Sequence, residues 1–412
     1  MVASLAASAA PGLAALATAL IGISVARRLQ AVDVPVLSFS SRYVASRLLP
    51  QLPSLRQGYR PPLLHPTGLL QSRLADVRQP PADATPFVRE TIRLPGIRMP
   101  PQRLCCPEVV PPGLISIDWL KQPDATAPVC LLVPGLTGSS ESAYIRRAAE
   151  TLHKAGACVG CVNPRGRGGN ELVSPFMYSA GYTEDLRRAI DHARSAYPNA
   201  RALTAAGYSL GASYLAKYVC EEGDSCPLAG AALFACMTDL VAGIARLRAT
   251  VAARLIDTHV LVPSVQRVMR AHLPHLEGAE GLRLDAAAAA TSMAAFDGAA
   301  IAPMMGCDSA TDYYEQASCG KLLSRARVPM LFVSARNDPV ASADAVDPRP
   351  FAHAPEDSPL LLAVTREGGH SMTWPEGWRG DGRDWSTAVL CEFVAAVTDE
   401  AEGGKERRAR SR

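Results

Sequence analysis

ALTAAGYSLGASYLAKYVC, from Ala202 to Cys220, is the stretch that decides how this chain is to be read. Its first part, Ala202 to Ala206, is an apolar run of strand length, and its last part carries apolar residues at helical spacing. Between them lies Gly207-Tyr208-Ser209-Leu210-Gly211, a G-x-S-x-G string. The pattern predicts a strand, a sharp turn and a helix, with Ser209 at the tip of the turn and its hydroxyl raised above the sheet. Small residues flank the serine because a strained turn brings neighbouring backbone too close for larger side chains. A lone G-x-S-x-G is common by chance; the strand before it and the helix after it give it weight.

Working outward, the same alternation recurs on both sides. Val129 to Val133 reads as a strand, followed by Pro134-Gly135 and a helix through Arg146 to Ala155. Ala157 to Val162 is a strand closed by Gly-rich Arg165 to Asn170, and a helix from Tyr182 to Tyr197 leads into the Ser209 unit. Leu228 to Met237, Met330 to Ser334 and Leu360 to Thr365 are further strands. Such alternation predicts an α/β fold, a mostly parallel central sheet with helices on both faces. Thr238 to Arg325 breaks the rhythm, being Ala-rich and helical throughout, and reads as a helical cap inserted into that domain.

A serine hydroxyl is a weak nucleophile unless a base and an orienting carboxylate reach it. Asp338, in ARNDPV, follows the strand ending at Ser334, and His370, in REGGH, follows the strand ending at Thr365. Taken singly, Asp338 caps a turn before Pro339 and His370 is a loop histidine. Their joint occurrence at late strand ends, in the order Ser, Asp, His, points to a catalytic triad. Asp344 and Asp347 in the same loop are the fallback acids. His272 and His275 in the cap and His353 in a Pro-rich loop lack that context. An oxyanion needs backbone N–H donors; Leu210, just after the serine, supplies one, and Leu136, in PGLTGSSES after the strand Val129 to Val133, supplies the other.

The 412 residues, 48% hydrophobic and 20% charged, suffice for a sizeable core. A net charge of +3 gives no field for nucleic acid. The 11 cysteines are scattered in apolar runs, which fits buried thiols in a reducing compartment rather than a disulfide framework. Cys158-Val-Gly-Cys161 has CxxC spacing but falls within a strand, with no second pair to complete a zinc site. Arg165-Gly-Arg-Gly-Gly169 lacks the G-x-x-x-x-G-K-[ST] of a phosphate loop. No metal and no cofactor is therefore expected. Asn163 and Arg165, at a strand end, read as buried polar bracing of their loop, and Asp312, Tyr313 and Tyr314 as anchors of the cap.

Residues 1–32 form a separate segment. Val2 to Ala26 carries no charge, and Arg27-Arg28 follows it. Its length is enough for a membrane anchor, and the arginine pair would keep the following domain cytosolic in a single-pass protein. The alternatives are an organelle transit peptide, since up to Leu74 Asp33 is the sole acid, and a plain soluble extension. Residues 33–100, rich in Pro, Arg and Leu, read as an extended wrap over the core. The main domain covers 101–398, its cap about 238–325, and 399–412 is a basic, frayed tail.

VPGLTGSSESAYIRR, NPRGRGGNEL, AGYTEDLRRAI, AAGYSLGASYLAKYV, FDGAAIAPMMGCDSATDYYEQAS, VSARNDPV and REGGH together resemble the AB hydrolase superfamily, in its YheT-like and embryogenesis-associated esterase branch. The resemblance runs from about Phe87 to Val397. It implies an α/β-hydrolase fold and a carboxylesterase or monoacylglycerol lipase acting on short- and medium-chain acyl esters. Membrane-anchoring N-terminal segments, found in many members, are implied as well. The family's charge-relay residues fall on Ser209, Asp338 and His370. PVASADAVD lacks a proline usual after Asp-Pro, and SMTWPEGW replaces a small apolar stretch; both departures bear on the acyl pocket.

Three readings follow. In the first, Ser209 attacks an ester, His370 shuttles the proton, Asp338 holds the imidazole, and water deacylates the enzyme. In the second, an alcohol takes the acyl group, making an acyl-CoA:alcohol acyltransferase. The third, a non-catalytic binding protein of the same fold, is opposed by the intact triad.

Overall fold

The computed structural model describes residues 32–72, 84–99, 107–342, 346–355, 358–377, 379 and 382–410. The anchor expected in residues 1–32 therefore falls, but for Val32, outside the described residues. Among the described residues, no helix is long and apolar enough to cross a membrane.

The sheet is built from strands whose residues are buried almost without interruption, as expected where helices cover both faces. The six strands at its centre are β6 (Val129–Val133), β7 (Cys158–Asn163), β8 (Leu203–Tyr208), β9 (Gly230–Phe234), β10 (Met330–Ala335) and β11 (Leu360–Thr365). All six run parallel, in the spatial order β11-β10-β9-β8-β6-β7. Three more strands come from regions that the apolar pattern leaves unassigned. β5 (Gly113–Leu120) pairs antiparallel with β7, β2 (Val88–Leu94) pairs antiparallel with β5, and β1 (Val36–Ser38) pairs antiparallel with β11. A two-stranded ribbon, β3 (Ile97–Arg98) with β4 (Val109–Val110), lies outside the sheet.

The region 33–100, read as an extended wrap over the core, supplies both edge strands. β1 is short, and both β1 and β2 are half-exposed, so they carry little apolar signal. Backbone pairing to a partner distant in sequence is what makes them strands. The helix Trp385–Arg410 runs into the stretch read as the basic tail. Val389, Leu390, Phe393, Val394 and Val397 of that helix are buried at three- and four-residue spacing.

Crossover helices Ala143–Lys154 and Glu184–Ala196 bury one face each, whereas Leu210–Glu222 is buried from Gly211 to Cys220. Between β9 and β10 the chain is helical, from Leu240–Leu247 to the turn Gly320–Arg325, and stands over the carboxyl ends of the strands. Open parallel sheets place their ligands at that end.

Candidate active site

Ser209 joins β8 to the helix Leu210–Glu222 and has φ 53° and ψ −124°. A non-glycine residue there costs on the order of 1–3 kcal/mol, so surrounding structure must hold it. Its N–H donates to the Phe234 carbonyl at 2.8 Å. The flanking glycines are required sterically. A Cβ on Gly211 would lie 2.2 Å from the Pro134 carbonyl oxygen, and one on Gly207 2.6 Å from Ala212 Cα. The serine turn is therefore wedged against the loop that follows β6.

Two loops reach Ser209 from the next strands. His370 Nε2 lies 2.9 Å from Ser209 Oγ, and His370 Nδ1 lies 2.8 Å from Asp338 Oδ2. Asp338 Oδ1 accepts from the N–H groups of Val340 at 2.7 Å and Ala341 at 2.8 Å. The Asp338 side chain is wholly buried, and that of His370 is 12% exposed. An ionised carboxylate only accepts, so the imidazole proton sits on Nδ1 and leaves the Nε2 lone pair facing the serine. Asp347 is exposed and bound to Arg349, and Asp344 lies outside the described residues.

The histidine loop is carried by residues that have no signature in the sequence. Gly368 N–H donates to Gln71 Oε1 at 2.8 Å and His370 N–H to Ser72 Oγ at 2.8 Å, both on the helix Gly68–Ser72. Asn337 accepts from Gly369 N–H at 2.9 Å and donates to Gln71 Oε1 at 3.1 Å. Asn337 adjoins the candidate acid and was findable on that ground. Gln71 and Ser72 sit in the region without periodicity and were not.

Leu136 and Leu210 border the same cavity as Ser209. The Leu210 N–H opens a helix, where the backbone dipole favours negative charge. The Leu136 loop is fixed by a hydrogen bond from Gly135 N–H to Tyr144 Oη at 2.8 Å. The cavity is walled chiefly by the cap, including Leu240, Ile244, Val265 and Phe296. Besides Ser209, polar side chains interrupt it at Arg167, Tyr178, Asp297, Tyr313 and Tyr314. Burial pushes the Asp297 carboxyl up to about 7, while the Tyr314 hydroxyl donates to it at 2.6 Å.

The remaining sequence readings divide. Arg165 donates twice to Asp185, at 2.7 and 3.0 Å, and Asn163 binds Asp118 and Ser140, so both brace the loop after β7. Tyr313 and Tyr314 reach the cavity, whereas the side chain of Asp312 bonds only to Asp308 and Gln316, close to it in sequence. Cys158 and Cys161 belong to the two different apolar clusters that flank the sheet. Among the described residues no group of His, Cys, Asp and Glu is placed to hold a metal ion.

The family described as serine aminopeptidase, S33 (Hydrolase_4), matches residues 124–373. The chain is 31% identical over 294 residues to "Phospholipase ABHD3" of Mus musculus, covering 70% of each protein. It is 28% identical to "Embryogenesis-associated protein EMB8" of Picea glauca, over 69% of this chain and 64% of that one. It is 29% identical to a "Monoacylglycerol lipase" of Saccharomyces cerevisiae, over 67% of this chain and 61% of that one. The match thus spans less than two thirds of the spruce and yeast proteins. The chain belongs to the AB hydrolase family, in the group of the ABHD and embryogenesis-associated proteins.

Proposed function

We propose that this chain is a serine hydrolase of carboxylic esters, acting on short- and medium-chain acyl esters such as monoacylglycerols. The observation that carries the reading is the unbroken chain Ser209 Oγ–His370–Asp338, at 2.9 and 2.8 Å, at the edge of a cavity with mostly apolar walls. Ser209 Oγ attacks the ester carbonyl as His370 Nε2 takes its proton. The oxyanion is met by the N–H groups of Leu210 and Leu136. His370 then protonates the leaving alcohol, and the acyl group stays on Ser209 until a water, deprotonated by the same Nε2, releases it. Asp338 keeps the imidazole in its reactive tautomer and offsets the charge of the imidazolium.

A fluorophosphonate probe should label the purified protein at Ser209, and p-nitrophenyl esters should be cleaved by the parent but not by Ser209→Ala. A folded Ser209→Ala protein with near-normal turnover ends this reading. The uncharged segment Val2 to Ala26 is proposed to tether the domain to a membrane. Deleting residues 1–26 should move the protein from pellet to supernatant with esterase activity retained; a full-length protein already in the supernatant refutes the tether.

A further inference from the structure

Among the described residues, Arg167 is a cation with nothing to neutralise it. It is 92% buried (8% exposed), its Nε has no hydrogen-bond partner among the described residues, and its one side-chain hydrogen bond there runs from Nη1 to the Gly166 carbonyl at 3.3 Å. No carboxylate among the described residues pairs with it. The one acid lining the same cavity, Asp297, is engaged by Tyr314. Burial pulls the guanidinium down only to about 10, so it remains charged at neutral pH. A buried unpaired charge costs several kcal/mol, and folded chains rarely carry one without a use.

The neighbouring groups hold Arg167 in place. Arg167 N–H donates to the Pro164 carbonyl at 3.1 Å, and Asn170 ties the Asn163 and Pro164 carbonyls at 2.8 and 3.2 Å. From the cap, His272 meets the Gly166 carbonyl at 3.0 Å. Tyr178 lines the same cavity, is 6% exposed, and its hydroxyl also lacks a partner. Burial raises the Tyr178 phenol above its usual value, so it remains a neutral O–H donor. A cation and a hydroxyl, both unsatisfied, thus border one space with Ser209.

We propose that Arg167 and Tyr178 form a carboxylate-binding subsite of the ester pocket, so that the preferred substrates are esters whose acyl or alcohol portion ends in a carboxylate. This rests on the esterase reading given above and names the substrate class within it. One guanidinium balances one negative charge, its planar edge matches the two oxygens of a carboxylate, and Tyr178 adds a third donor. The apolar walls then accommodate the chain between the carboxylate and the ester.

The test compares matched pairs: p-nitrophenyl hydrogen adipate and suberate against their methyl-capped counterparts, and butyryl esters of glycolate and 3-hydroxybutyrate against theirs. The parent should prefer the carboxylate member of at least one pair in kcat/KM. Hydrogen bonds to charged groups are worth about 1.5–3 kcal/mol each, so Arg167→Met should lower that preference roughly a hundredfold, chiefly through KM. Tyr178→Phe should lower it roughly tenfold, and Arg167→Lys should restore part of what Arg167→Met loses. Arg167→Met should also raise Tm, because it removes an unpaired buried charge. Loss of Tm with an equal fall on both members of each pair would mean a structural arginine and overturn the subsite. So would absence of any preference in the parent, or a preference confined to phosphate-bearing esters such as monoacylglycerol phosphates. If no ester of either kind is cleaved, the esterase reading fails on its own. The subsite is then read by the thermal shift that monomethyl adipate produces in Ser209→Ala and should fail to produce in Ser209→Ala/Arg167→Met; equal shifts, or none, overturn it.

Discussion

Asp338→Asn isolates what the carboxylate does. In the parent, Asp338 Oδ1 is held by two backbone N–H groups, from Val340 and Ala341, while Oδ2 faces His370 Nδ1 at 2.8 Å. An asparagine in that place must keep its carbonyl oxygen on the two N–H donors, since the reverse orientation sets an NH2 group against them. Its nitrogen then faces Nδ1. Two donors cannot share that contact, so the imidazole takes the other tautomer and carries its proton on Nε2, facing Ser209 Oγ. The base is thereby blocked, and the imidazolium loses its counter-charge. Loss of the orienting carboxylate in a triad of this kind costs about 10⁴-fold in kcat, or about 5 kcal/mol of barrier. Volume and both backbone hydrogen bonds are retained, so the fold should survive. The assay is kcat/KM on p-nitrophenyl butyrate, with circular dichroism and Tm on the same preparations. Combining Asp338→Asn with His370→Ala should add little to His370→Ala alone, because the residues act as one unit. An Asp338→Asn enzyme within tenfold of the parent would refute the assignment of the acid.

Gly211→Ala forces a Cβ to within 2.2 Å of the Pro134 carbonyl oxygen and 2.5 Å of the Val133 carbonyl oxygen. It should cost about 1–3 kcal/mol in chemical denaturation and, by displacing the Leu136 loop, lower kcat more than KM changes; an unchanged midpoint and kcat would contradict this packing. Asp185→Asn strands the buried Arg165, whose two bonds to Asp185 are 2.7 and 3.0 Å. A loss of about 3–5 kcal/mol is expected; a variant as stable as the parent would show the pair to be dispensable. Asp297 gives a pH signature. Its native carboxyl holds a proton up to about 7, against 3.8 for its ordinary value, so between these limits the native state binds more protons than the unfolded chain. Its contribution to stability falls as pH rises through that window, by on the order of 4 kcal/mol. Asp297→Asn should flatten the fall measured by urea unfolding at pH 4.5 and 7.5, and an unaltered slope would refute it.

Most of the fold and the three residues proposed as the triad were legible in the sequence because their signals are local. Strands covered on both faces write themselves as apolar runs, as β6 and β7 do. The serine turn needs glycines at fixed offsets, and Asp338 and His370 follow strands that could be read one by one. β1 and β2 were not legible, because an edge strand takes its structure from a partner: Val36 pairs with Val364, and Val88 with Trp119. For the same reason no pattern marks Gln71 and Ser72, whose bonds to the histidine loop span nearly 300 positions. The sequence shows Arg167 as one more arginine in a glycine-rich loop. Only the tertiary structure decides that it lacks a counter-ion among the described residues, because a charge is unpaired by virtue of what surrounds it, and its surroundings come from the cap, the loop after β7 and the serine turn at once.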